Sequence, residues 1–170
     1  MRVASFSIKE RWSVMHEIFR AFTEGLHPKF EALMAQMPMS HGSLRPEIRG
    51  SGVYLFSENG KSLYVGRTRN VRRRYGEQTR PSSRNNAAPF AYKLACEATG
   101  AAKASYRAGP NSRDGRMHNP EFAAAFSASL ARVRTMDFRF VEETDPTSQC
   151  LLEIYVSVVC GSPYNDFNTT

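Results

Sequence analysis

Asn59-Gly60 is the feature that most narrows what this chain can fold into. Both residues tolerate positive φ, and they separate two apolar runs, GVYLFS (52–57) and SLYVG (62–66), so a tight β-hairpin is predicted there. Side chains alternate along a strand, which puts Val53 and Leu55 on one face and Tyr54 and Phe56 on the other. Tyr64 shares a pocket with Tyr54 only if the hairpin register permits it. Two such phenols serve either packing or chemistry.

Arginine follows the hairpin at once. Arg67, Arg69, Arg72, Arg73, Arg74, Arg80 and Arg84 fill seven of the eighteen positions 67–84. Over the whole chain Lys and Arg outnumber Asp and Glu by 23 to 16, for a net charge of +7. That field favours an anionic partner such as nucleic acid, although a solvated basic face reads the same way. The segment TRNVRRRYGEQ has helical character, with Val71 and Tyr75 one turn apart on its apolar side. At roughly 100° per residue, Arg73 points away from Val71 toward solvent or backbone phosphate, while Arg72 and Arg74 flank the apolar side. From its flank, Arg74 can rest against protein and still offer a fork to a phosphate.

The rest of the chain is punctuated clearly. IKERWSVMHEIFRAFTEGL sets Ile8, Trp12, Met15, Ile18, Phe19 and Phe22 at helical spacing, with Gly25 ending the helix. KFEALMAQM is a second short helix stopped by Pro38, and SHGSLRPEIRGSG is a linker. FAYKLACEATG and EFAAAFSASLARV read as helices on either side of a polar connection, and MDFRFVEE alternates as a strand. In DPTSQCLLEIYVSVVCGSP, Asp145 suits the N-cap, Pro146 the first turn and Gly161 the C-terminal turn of a final helix. The order predicts an α+β fold with a small mixed or antiparallel three-stranded sheet flanked by helices. Residues 1–50 form an N-terminal helical extension, and 51–170 form the domain proper, with a variable helical insert at about 79–135. The extension's apolar stripe either packs against the domain or binds a partner.

Cys96, Cys150 and Cys160 are odd in number and lack CxxC spacing, which suggests neither a disulfide framework nor a zinc site. No apolar run approaches the roughly 18 to 20 residues of a membrane span, and the N-terminus lacks a signal-peptide core, so a cytoplasmic protein is expected. The final helix carries Gln149, Glu153 and Ser157 as one polar stripe, facing either water or a polar groove in which Glu153 would be a hard oxygen ligand for Mg²⁺.

The motifs GVY (52–54) and YVG (64–66), followed by GRTRNVRRR, resemble the signature of the GIY-YIG nuclease superfamily. In that family an arginine follows the second-motif tyrosine by about ten residues, here Arg74; a later helical glutamate corresponds to Glu153 and the asparagine after that helix to Asn165. The resemblance covers roughly residues 50–168; where several members carry a histidine one turn after the arginine, this chain has Gln78. It implies a Mg²⁺-dependent endonuclease, with Mn²⁺ able to substitute, that hydrolyses DNA by a single-metal mechanism. Tyr54 would act as the base or relay to it, Tyr64 would position water or phosphate, and Arg67 would bias the phenol. Arg74 would stabilise the pentavalent transition state, Glu153 would hold the metal and Asn165 would brace the site. Arg69, Arg72, Arg73, Arg80 and Arg84 are the candidate DNA contacts, and a homodimer through the N-terminal helices is one route to cutting both strands. Two alternatives stand beside this: a module that grips nucleic acid without cutting, and a protein-interaction module built on residues 1–50.

Overall fold

The computed structural model describes residues 16–39 and 44–167. The predicted hairpin forms from β1 (Gly52–Glu58) and β2 (Lys61–Thr68), joined by Asn59 at φ 51° and Gly60 at φ 76°. β3 (Asp137–Glu142) pairs antiparallel with the other side of β1, giving a three-stranded antiparallel sheet in the order β2-β1-β3. The fold is therefore α+β with an open antiparallel sheet, as the element order suggests.

Helices cover both faces of that sheet. Before the hairpin come α1 (Glu17–Glu24) and α2 (Leu26–Ala35). After it come α3 (Val71–Thr79), α4 (Pro89–Ala98), the single turn α5 (Arg113–Arg116) and α6 (Pro120–Thr135), then β3 and α7 (Pro146–Cys160). One sheet face presents Tyr54, Phe56, Phe138 and Phe140 to Val71 and Tyr75 of α3, Phe90 of α4 and Phe126 and Leu130 of α6. The opposite face presents Val53, Leu55, Val65 and Val141 to Leu33 of α2 and to Leu152 and Val156 of α7. Burying the central strand on both sides removes its apolar side chains from water, at about 1.5–3 kcal/mol for each large one.

The local signals set the helix ends. Asn70 caps α3 by accepting from the Arg73 N–H, and Asp145 caps α7 by accepting from the Ser148 N–H. Proline occupies the first turn of α4, α6 and α7, and Gly161 closes α7 in the left-handed region at φ 59°. The part of the first predicted helix that precedes residue 16 lies outside the described residues; its described end stops at Glu24, with Gly25 next.

α2 belongs to the same core as the sheet. Leu33 is fully buried, and Met39 exchanges backbone hydrogen bonds of 2.8 and 2.7 Å with Phe138 on β3. α1 buries no residue and leaves Ile18 and Phe19 exposed. Among the described residues no helix is long and apolar enough to cross a membrane.

One irregularity in the hairpin decides where the tyrosines go. The two-residue turn pairs Glu58 with Lys61 and Ser57 with Ser62, but a bulge then skips Leu63, so Phe56 faces Tyr64 and Tyr54 faces Gly66. Without the extra residue Tyr64 would oppose Leu55 and point to the other side of the sheet. With it, Tyr64 shares the face of Tyr54 as a diagonal neighbour, ring centroids 6.3 Å apart. Gly66 is required opposite Tyr54, because a Cβ there would run into the phenol. Gly66→Ala is expected to lower stability by about 1–3 kcal/mol in urea denaturation, the cost of overpacking a filled core.

Candidate active site

Arg74 is anchored by three partners at the edge of the sheet. Its Nε donates to the Tyr54 hydroxyl at 3.0 Å, and its Nη1 donates to the Ala87 carbonyl at 2.9 Å and to Glu77 Oε2 at 3.2 Å. Position on α3 explains this: three residues after Val71, Arg74 leans over the edge of the sheet above Tyr54. Gln78, one turn further along, is fully buried and donates from Nε2 to the same hydroxyl at 3.4 Å. Tyr54 is itself only 1% exposed, so its hydroxyl touches Arg74 and Gln78 rather than bulk solvent.

Arg74 faces an open cleft of about 670 Å³ between the start of α3, the end of β2 and the first turns of α7. Arg67, Arg69 and Arg73 line it too, with Glu77 and Gln149 among the other wall residues. Arg73 and Arg74 both pair with Glu77, which sequence reasoning missed. The signal was available, since Glu77 follows Arg73 by four residues and Arg74 by three on one helix.

Glu153 turns inward from α7 and pairs with Arg67, whose Nε lies 3.1 Å from Glu153 Oε2. Burial pushes its carboxyl above the usual range, against the pull of Arg67 and Arg74. The polar stripe of α7 therefore faces the protein, with Glu153 only partly exposed. Gln149 and Ser157 are buried, and Gln149 Nε2 donates to the Glu143 carbonyl at 2.6 Å.

Tyr64 is half-buried, with its ring stacked on Phe90 at 4.8 Å. Burial, then the nearness of Tyr54, push its phenol well above the ordinary tyrosine value despite Arg74. Tyr64 is thus a neutral hydrogen-bond donor at physiological pH. Arg67, expected to bias a phenol, pairs with Glu153.

Asn165 grips the outer edge of the hairpin. Its Oδ1 accepts from the Val65 N–H at 2.7 Å and its Nδ2 donates to the Val65 carbonyl at 2.8 Å. β2 is an edge strand, so these two backbone groups have no neighbouring strand, and one amide side chain satisfies both. Asn165→Ala leaves them unpaired in the fold. We expect a loss of about 1–3 kcal/mol, read as a lower thermal midpoint.

The remaining basic candidates divide between two places. Arg69 and Arg73 share the cleft with Arg67 and Arg74. Arg72 lies on the other flank of α3 and donates to the Arg45 carbonyl at 2.9 Å, with Arg80 on that same flank, while Arg84 is exposed in the loop after α3. Glu153, Tyr54 and Tyr64 stand behind the cleft wall, joined to it through Arg67 and Arg74.

The donor chemistry fits a Mg²⁺ ion held by one carboxylate. Glu153 supplies a hard oxygen beside an arginine-lined cleft, and Mg²⁺ commonly takes one or two protein carboxylates, with water and substrate phosphate completing its shell. Among the described residues no group of three or more His, Cys, Asp or Glu side chains gathers as a metal cage. Comparison with protein-family models, with curated proteins and with solved structures gives no match to this chain.

Proposed function

We propose that this protein is a GIY-YIG-like endonuclease that hydrolyses DNA phosphodiester bonds in the cytoplasm, using one Mg²⁺ ion that Mn²⁺ can replace. The observation that carries the reading is Arg74, fixed through Nε to a buried tyrosine of the GVY motif while it faces a cleft lined by Arg67, which in turn pairs with Glu153 behind the wall. A guanidinium held by three partners needs little reorganisation when charge develops on a phosphate, which is what makes such a group effective in a transition state.

The roles follow from the contacts. Arg74 neutralises the extra negative charge of the pentavalent phosphorus. Tyr54, almost wholly buried, works through Arg74 by holding its guanidinium in place. Tyr64 remains a phenol and donates to phosphate or water. Arg67 keeps the Glu153 carboxylate aimed and paired until the anionic substrate arrives, and Arg69 and Arg73 attract the strand into the cleft. Bound at Glu153, Mg²⁺ would supply Lewis-acid polarisation of the phosphate. Asn165 keeps the YVG strand, and with it Tyr64 and Arg67, in register.

A module that only grips nucleic acid would be served by the arginines alone. It gives no reason to place a partly desolvated carboxylate beside them. Exposed Ile18 and Phe19 on α1 are the surface that a homodimer, or another protein partner, would use. Supercoiled plasmid incubated with purified protein and Mg²⁺ should be nicked or linearised, and EDTA should stop the reaction. Plasmid that is retarded on a gel yet stays supercoiled with Mg²⁺ and with Mn²⁺ supports the non-cutting module instead.

A further inference from the structure

We propose that α3 seats in the major groove of duplex DNA, with one phosphate strand in the catalytic cleft and the opposite strand along the far flank of the helix. This rests on the reading of DNA as the substrate and adds its form, double-stranded, and its docking pose.

Helical phase separates the two flanks. Arg73, Arg74 and Glu77 face the cleft, whereas Arg72, Gly76 and Arg80 border a second basic surface. Two adjoining depressions of about 490 and 360 Å³ share Leu44 and Arg72 on that far side. Their walls carry Arg49, Arg72, Arg80 and Arg134 and no carboxylate. Among the described residues none of these four pairs with an Asp or Glu. In the catalytic cleft, by contrast, Arg67, Arg73 and Arg74 are each matched by Glu153 or Glu77. Arg72 and Arg49 donate to the Arg45 and Pro46 carbonyls at 2.9 and 3.0 Å, contacts that hold the guanidiniums without cancelling their charge. Such a surface suits a row of phosphates.

α3 stands between the two basic surfaces, with Arg73 and Arg74 lining one and Arg72 the other. An α-helix with side chains measures about 10–12 Å across, and the major groove of B-DNA is about 12 Å wide. α3 has nine residues, hence about 13 Å of length, which spans roughly four base steps of 3.4 Å. Arg73 is exposed along its length, and the Arg80 guanidinium, just past its end, lies over Gly76, where any side chain would displace it. A single strand in the cleft would leave the far surface without a ligand.

The test is the salt dependence of binding in EDTA, where no cutting occurs, with fluorescent duplex and single-stranded oligonucleotides of the same sequence. Arg49→Ala/Arg134→Ala alters two exposed residues outside α3, and Arg72→Ala is the second variant. The double variant should lower the slope of log K against log salt by about two on duplex DNA, one per lost phosphate contact, and weaken duplex binding at least tenfold at low salt. Single-strand binding should stay within twofold, and methylation of guanine N7 should interfere with duplex binding. Equal losses on duplex and single strand, an unchanged duplex slope, or indifference to N7 methylation would overturn the pose. The expected slopes combined with an intact plasmid in Mg²⁺ would sink the nuclease reading while leaving this one in place. Cleavage of single strands as fast as duplex would do the reverse.

Discussion

Glu153→Gln is expected to fold, to bind DNA as the wild type does and to melt at the same or a higher temperature at neutral pH, while Mg²⁺-dependent cleavage falls by about 100- to 1,000-fold. The stability half of this follows from burial. Desolvation raises the Glu153 carboxyl in the folded protein, and the Arg67 pair offsets it only in part. A raised carboxyl favours the protonated form on folding, so its contribution to stability is full below the unfolded value near 4.5 and is lost as pH rises through the folded value. At neutral pH the wild type therefore carries a strained charge that glutamine removes. Melting curves of both proteins should converge in acid and diverge as pH rises. Cleavage by the wild type, which needs the ionised carboxylate, should increase over the same window, with its acid limb above the ordinary glutamate range. A variant markedly less stable than wild type at neutral pH would mean that the Arg67–Glu153 pair is a structural strut.

Arg74→Ala should cost activity and stability together. Removing the guanidinium takes away a charge aimed at the cleft, worth about 100- to 1,000-fold in kcat. It also deprives the buried Tyr54 hydroxyl of its closer donor and leaves the Ala87 carbonyl unpaired, so a further loss of about 1–3 kcal/mol in folding is expected. Arg74→Lys keeps the charge but cannot hold Tyr54, Ala87 and Glu77 with one planar group, and should recover only part of the rate. Tyr54→Phe separates the roles. If Tyr54 acts by holding Arg74, the double variant Tyr54→Phe/Arg74→Ala is no slower than Arg74→Ala alone. Losses that multiply would show that Tyr54 has a task of its own at the phosphate.

What the sequence disclosed was mostly what local chemistry controls. Asn59-Gly60 announced the hairpin, and Asp145, Pro146 and Gly161 announced the ends of α7, because turns and caps depend on a few adjacent residues. The hairpin register was not legible: the bulge that skips Leu63 is chosen by packing of Tyr54, Phe56 and Tyr64 against Phe90 and Phe138, partners distant in the chain. The alternatives for the α7 stripe stayed open in the sequence for the same reason, since only the docking of β2 beside it turns Glu153 toward Arg67. Helical phase divided the flanks of α3 between Arg72 and Arg74 correctly. It did not supply Glu77, which draws Arg73 into the cleft beside Arg74. The unpaired state of the far-flank arginines also depends on residues 45–49 and on α6, which pattern alone could not bring to α3.

Single-turnover hydrolysis of an end-labelled duplex at saturating protein, followed over a Mg²⁺ titration for wild type and Glu153→Gln side by side, bears most directly on the claim that this cleft cuts phosphodiester bonds. The account predicts a wild-type rate that rises with Mg²⁺ to a plateau, and a variant at background across the titration although the duplex remains bound. Indistinguishable rates for the two proteins, or a duplex that stays whole with both, would contradict it.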